Sequence, residues 1–178
     1  EGSVWRHLQV DPDRYIYEAV RKGVDLPLPT EIAAGESDPG RREGWNKPAL
    51  TEFALPTEIW REVVARRHRY QEVKAKLEAG EVTSINDLVT LNLDIRQFAQ
   101  DVLQDSDADL LLAFWKAISQ IKVLDPTVGS GAFLSAALNV LEPLYEACVE
   151  RMSALVDELD RSGEQHSPKK YEPFRKVL

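Results

Sequence analysis

Residues 124–134 read Leu-Asp-Pro-Thr-Val-Gly-Ser-Gly-Ala-Phe-Leu, a run whose residue types suit small-molecule binding. Gly129 and Gly131 carry no Cβ, so a ligand can lie against the backbone, and φ > 0 is open to both. A helical pattern begins directly afterwards. The first N–H groups of a helix lack intrahelical partners and point at whatever sits on the preceding turn. Asp125 adds one carboxylate at the rim. It repels a pyrophosphate and suits a cationic or hydroxyl-bearing ligand.

Three ligand classes compete for such a turn. A Walker A loop ends in Gly-Lys-Ser/Thr, and no such ending occurs here. A dinucleotide fingerprint needs a third glycine where this chain has Leu134. It also needs an acidic residue closing a second strand roughly 20 residues on. Glu146 and Glu150 lie in that range but inside a helical pattern. A nucleotide-binding oxidoreductase is therefore disfavoured. S-adenosylmethionine has an ammonium, a sulfonium and a ribose but no phosphate, and it fits the run best. The candidate cofactor-binding residues are Asp125, Pro126, Thr127, Val128, Gly129, Ser130, Gly131, Ala132 and Phe133.

The same run resembles the cofactor motif of the N6-adenine DNA methyltransferases of restriction–modification and phage-defence systems. Flanking segments resemble the large single-chain enzymes of the type II restriction–methylation class. These are residues 84–88 (Ser-Ile-Asn-Asp-Leu), 92–100 (Asn-Leu-Asp-Ile-Arg-Gln-Phe-Ala-Gln) and 141–148 (Leu-Glu-Pro-Leu-Tyr-Glu-Ala-Cys), with 160–163 running on to Ser167-Pro168-Lys169-Lys170. The likeness spans most of the chain.

The resemblance implies S-adenosylmethionine as cofactor and double-stranded DNA as a partner of the parent protein. It gives Asp125 the task of organising the loop and, directly or through water, the methionine ammonium. It brings the backbone of residues 127–131 to the methionine and ribose and packs Phe133 beneath the loop, with an edge contact to the cofactor as the alternative. The family's Asn/Asp-Pro-Pro-Tyr/Phe tetrapeptide, which holds the flipped-out adenine, does not occur here. The expectation is a portion of a larger enzyme, inactive alone, with no catalytic residue of its own. An unfinished sheet would leave room for self-association. The rival reading is a non-enzymatic helical module that binds protein or DNA and keeps the loop as a relic.

The elements that must position the run can also be read. Ile121, Val123 and Leu124 give a short strand pattern leading in. After the turn, one helical pattern covers about residues 132–159. Pro143 lies inside it and predicts a kink or short break. Cys148 reads as a small core residue. Before the strand, helices are expected over about 108–119, over 84–103 with Ser84 as cap, and over 57–79 capped near Thr57. Asn92 reads as a buried, satisfied amide.

Arg66-Arg67-His68-Arg69 is either a phosphate-contacting patch or a solvated face paired with Glu62 and Glu72. A short helix is expected over 11–22, capped by Asp11. Residues 24–48 read as loops pegged by Trp45, with one helical turn at 30–34. Residues 167–170 read as an exposed turn or a DNA contact, and a last helix begins near Tyr171. Residues 1–3 read as a cloning remnant.

The organisation expected is a short helix and Pro/Gly-rich loops over 1–55, a helical region over 56–119, and strand, cofactor loop and long helix over 120–178. The fold class is mostly α, a helical region leading into the first β–α unit of a class I, Rossmann-like methyltransferase fold. The net charge of −8 argues against coating nucleic acid with the whole surface. A single cysteine excludes an internal disulfide, and His7, His68 and His166 are scattered, suggesting no metal site. No signal or membrane span is read, so the expected location is cytoplasmic.

Overall fold

The computed structural model describes residues 4–162 and 169–178. Residues 1–3, the helix stop at Gly163 and the Ser167-Pro168 part of the basic turn lie outside them. The chain divides into two compact units, Glu1–Ile95 and Arg96–Leu178.

The first unit contains α1 (Arg6–Val10), a 3₁₀ turn (Pro12–Tyr15), α2 (Glu18–Arg21), α3 (Thr30–Ser37), α4 (Trp60–Glu78) and α5 (Ile85–Thr90). Its core joins Trp60, Val63 and Val64 of α4 to Ile32, Trp45, Phe53 and Ala54. Trp45 is the expected peg, and its Nε1–H donates to the Ile32 carbonyl at 3.0 Å. Gly35 is required there, since a Cβ would stand 2.5 Å from Trp45 Nε1.

Three local expectations are corrected. The helix over 11–22 is split, because the carbonyls of Tyr15 and Ile16 accept from Asp94 N–H and Arg21 Nε–H instead of from the next helical turn. The helix after Thr57 starts later. Thr57 adopts φ 71°, and Glu62 caps the Ile59 N–H at 3.0 Å. The helix over 84–103 is broken at Asn92. That residue is exposed with φ 54°, a conformation asparagine tolerates. Asn92 N–H bonds the Val89 carbonyl and Leu93 N–H the Leu88 carbonyl, which closes α5 as a left-handed C-terminal cap. Ser84 does cap α5, accepting from Asp87 N–H at 3.2 Å.

The second unit contains α6 (Ile95–Gln104), which opens at the boundary, α7 (Ala108–Ile118), α8 (Ala132–Ser162) and α9 (Glu172–Val177). Leu103, Leu111, Ile118, Cys148, Met152, Val156 and Phe174 form its core. α8 runs unbroken through Pro143, because proline removes only one donor from a long ladder. By length and composition α8 would suffice to cross a membrane. Its second half nevertheless buries Ala147, Cys148, Met152, Leu155 and Val156 against protein.

Among the described residues the only β pairing is an isolated bridge between Pro48 and Ile59. Residues 121–124 therefore form no strand, although their side chains have the pattern of one. A strand exists only where a neighbour takes up its N–H and C=O groups, and no described segment lies in that position. The described residues are mostly helical.

Candidate functional site

Two contacts fix the α7 end of the loop between α7 and α8. The Tyr145 hydroxyl donates to the Ile118 carbonyl at 3.0 Å, and Trp115 meets the Tyr145 ring edge-on at 5.3 Å. The last turn of α7 is thereby held to α8, with residues 119–131 spanning between them. Within the loop, Asp125 Oδ1 accepts from Thr127 N–H at 3.0 Å and from Thr127 Oγ1–H at 3.3 Å. Among the described residues nothing engages Asp125 Oδ2. Gly129 and Gly131 take φ 48° and 76°, and Gly131 N–H closes a tight turn on the Val128 carbonyl at 2.6 Å. The next backbone bond, Ser135 N–H to the Gly131 carbonyl, starts α8.

The turn shapes an open hollow of about 530 Å³, lined by Leu124, Asp125, Pro126, Thr127, Val128, Gly129, Ser130, Ala132 and Phe133. That volume falls in the range of small-molecule clefts, roughly 300–1,000 Å³. Eight of the nine candidate residues are in the lining. Gly131 acts through the backbone bend alone, since nothing stands within 4 Å of where its Cβ would be. The hollow offers one carboxylate oxygen, backbone groups and an apolar wall of Leu124, Val128 and Phe133. That donor set fits a cation carrying an apolar or planar portion. It does not fit a metal ion, and no metal-binding cluster occurs among the described residues.

Phe133 departs from the first of its two expected places. It is 73% exposed and lines the hollow instead of packing beneath the loop. The cause is the bare start of α8. Leu138 and Val140 are exposed as well, at 63% and 53%, and no described element covers them.

Two arginines of the α4 run form a structural clamp, while Arg69 is exposed. The Arg66 guanidinium pairs with both oxygens of Glu58 at 2.9 and 3.0 Å. It also donates to the carbonyls of Val20, Lys22 and Phe53. Arg67 donates to the Gly23 carbonyl at 2.5 Å, and His68 faces Glu36 at 2.7 Å. Glu62 is occupied by the Ile59 N–H and Glu72 by Lys76, although the charge of exposed Arg69 also helps lower the Glu72 pKa, as the solvated-face reading has it. Arg66 is therefore neither a phosphate contact nor a solvated charge.

A second cluster has no counterpart in the sequence reading. The Tyr70 hydroxyl and Lys74 Nζ both donate to Asp13, at 2.8 and 2.7 Å. The i, i+4 spacing of Tyr70 and Lys74 was its visible half. Burial raises the Tyr70 pKa, the Asp13 bond adding to it against Lys74. That is the wrong direction for an acid–base group working near neutrality. The cluster ties the 3₁₀ turn to α4. Cys148 is fully buried, and burial pushes its thiol up to about 11, consistent with a core residue.

None of the family models, curated proteins or solved structures compared with this chain matches it.

Proposed function

We propose that residues 121–162 are the cofactor-binding portion of an S-adenosylmethionine-dependent adenine-N6 DNA methyltransferase. The observation that carries this reading is the hollow over the glycine turn, lined by the run that resembles the family's cofactor motif. The free Asp125 oxygen suits the methionine ammonium. The N–H groups opening α8 and the turn backbone suit the methionine carboxylate and ribose. Leu124, Val128 and Phe133 give the nucleoside an apolar wall.

When bound, S-adenosylmethionine supplies an electrophilic methyl group. This chain's residues would hold and orient it, and orientation contributes much of the rate in such transfers. The resemblance assigns the adenine and its amino group to a polar tetrapeptide that this sequence lacks, so the chain alone is proposed to bind without methylating. Double-stranded DNA is the proposed partner of the parent protein, and the proposed location is cytoplasmic.

Calorimetric titration tests the reading. S-adenosylmethionine should bind in preference to NAD⁺ and ATP, and Asp125→Ala should weaken it about tenfold, one charge-assisted bond's worth. Equal or tighter binding of NAD⁺, or no heat with S-adenosylmethionine at the highest soluble concentration, overturns it.

A second reading, a helical interaction module with a relic loop, is favoured by the absence of any strand among the described residues. It predicts no cofactor binding at all.

A further inference from the structure

We infer that Thr127 is the positioning residue of the hollow: its side chain and its N–H both bind one oxygen of Asp125 and leave the other for the ligand's ammonium. This role rests on the cofactor reading proposed above, which brings only the backbone of Thr127 to the ligand.

The electrostatics of the hollow turn on one group. Of the residues lining it, Asp125 alone carries a charge, and the sequence has no charged residue from position 126 to 141. A cationic ligand entering there has one carboxylate to meet. How that carboxylate is held governs what it can grip.

Thr127 holds it at a single oxygen. The Thr127 N–H donates to Asp125 Oδ1 at 3.0 Å, and Oγ1–H donates to the same oxygen at 3.3 Å. Two donors on one oxygen oppose rotation of the carboxylate about its own bond. The residue between them stiffens the frame, since Pro126 has a fixed φ and restricts the backbone of Asp125 before it. Thr127 is β-branched, so its hydroxyl has few places to go. The carboxylate is thus ordered before a ligand arrives, and less freedom is lost on binding.

The single free oxygen also sets the class of group it takes. It suits an ammonium, which is a compact point donor. It suits less the planar fork of a guanidinium, which bonds best to two oxygens at once.

Calorimetric titration of the 178-residue chain with S-adenosylmethionine tests this as a mutant cycle. Thr127→Val keeps the branched shape and the backbone donor and removes the hydroxyl. At 3.3 Å that bond is long for a hydroxyl donor, so the expected loss of affinity is small, about threefold. Thr127→Ser keeps the hydroxyl and should bind within about twofold of wild type. In an Asp125→Ala background the hydroxyl has no carboxylate to hold, and Thr127→Val should weaken binding no further. A threonine that merely shapes the turn would give the same loss with or without Asp125. Wild-type affinity in Thr127→Val, a serine variant as weak as the valine one, or an undiminished loss in the Asp125→Ala background overturns the inference and leaves the cofactor reading standing. No binding by the wild-type chain removes both.

Discussion

The Tyr145 hydroxyl reaches 3.0 Å to the Ile118 carbonyl, and through it α8 holds the end of α7 from which the candidate loop departs. Tyr145→Phe keeps the ring against Trp115 but removes one of that carbonyl's two donors, leaving the Ile121 N–H at 3.1 Å. The expected cost is about 1 kcal/mol, the net worth of one such bond. Chemical denaturation should register the loss. Hydrogen exchange should rise at the Ile118–Ile121 end of the loop more than in the core formed by Met152 and Phe174.

Gly131 tests the bend itself. Its φ is 76°, and a Cβ there would meet nothing within 4 Å. Gly131→Ala is therefore penalised by backbone conformation alone, by about 1 kcal/mol. The turn should open and the first turn of α8 should fray, seen as faster exchange of the Gly131 and Ser135 amides. Affinity for S-adenosylmethionine should fall with it.

Arg66 lies almost wholly inside the first unit, its side chain 10% exposed beside Glu58 at 15%. Arg66→Ala strands the Glu58 carboxylate and three carbonyls. Removing one partner of a buried pair costs about 3–5 kcal/mol. A large fall in thermal stability is expected, with little effect of added salt on the wild-type pair. A surface phosphate contact would show the opposite, a stable variant.

Acid should destabilise the first unit through two carboxylates. Burial raises the Glu58 pKa, but the Arg66 hydrogen bonds, the Leu55 N–H and the Arg66 charge outweigh it, leaving it below 4.5. For Asp13, burial is likewise outweighed by the bonds from Lys74 and Tyr70, leaving it below 3.8. A depressed folded pKa gives stability that is present above the unfolded pKa and is lost as pH falls through the folded one. The unfolding free energy should hold level above about pH 5 and drop below pH 4. Asp13→Asn should flatten that acid limb. An unchanged limb would contradict the assignment.

Cys148 should resist alkylation. With its thiol pushed up to about 11 and fully buried, iodoacetamide at pH 8 should label it only as the helices open. Labelling and unfolding should therefore share one denaturant midpoint.

The sequence revealed the pieces governed by local rules. Ser84, which accepts the Asp87 N–H at 3.2 Å, is visible as a polar residue ahead of apolar periodicity. Trp45 stood out as the one bulky residue in a polar stretch. The glycine turn and its Asp125 were legible because few residues permit that geometry.

What stayed hidden depends on distant partners. The Asn92 break came from a polar residue serving as a left-handed cap inside an unbroken apolar period. The Arg66 clamp needs carbonyls more than 40 positions away in sequence, which no local spacing reveals. The strand pattern at residues 121–124 records a side-chain preference, whereas strand formation requires a neighbouring backbone. Phe133 was left between two places for the same reason, because what covers a side chain is not written beside it.

The central claim is that the turn between residues 124 and 133 receives S-adenosylmethionine, and amide-resolved NMR titration tests it most directly. The account predicts concentration-dependent shifts concentrated at Asp125, Thr127, Gly129, Gly131 and Phe133, with the Trp45 and Val64 region unmoved and about tenfold more ligand needed in Asp125→Ala. Shifts confined to other parts of the chain, or none at saturating S-adenosylmethionine, would contradict it.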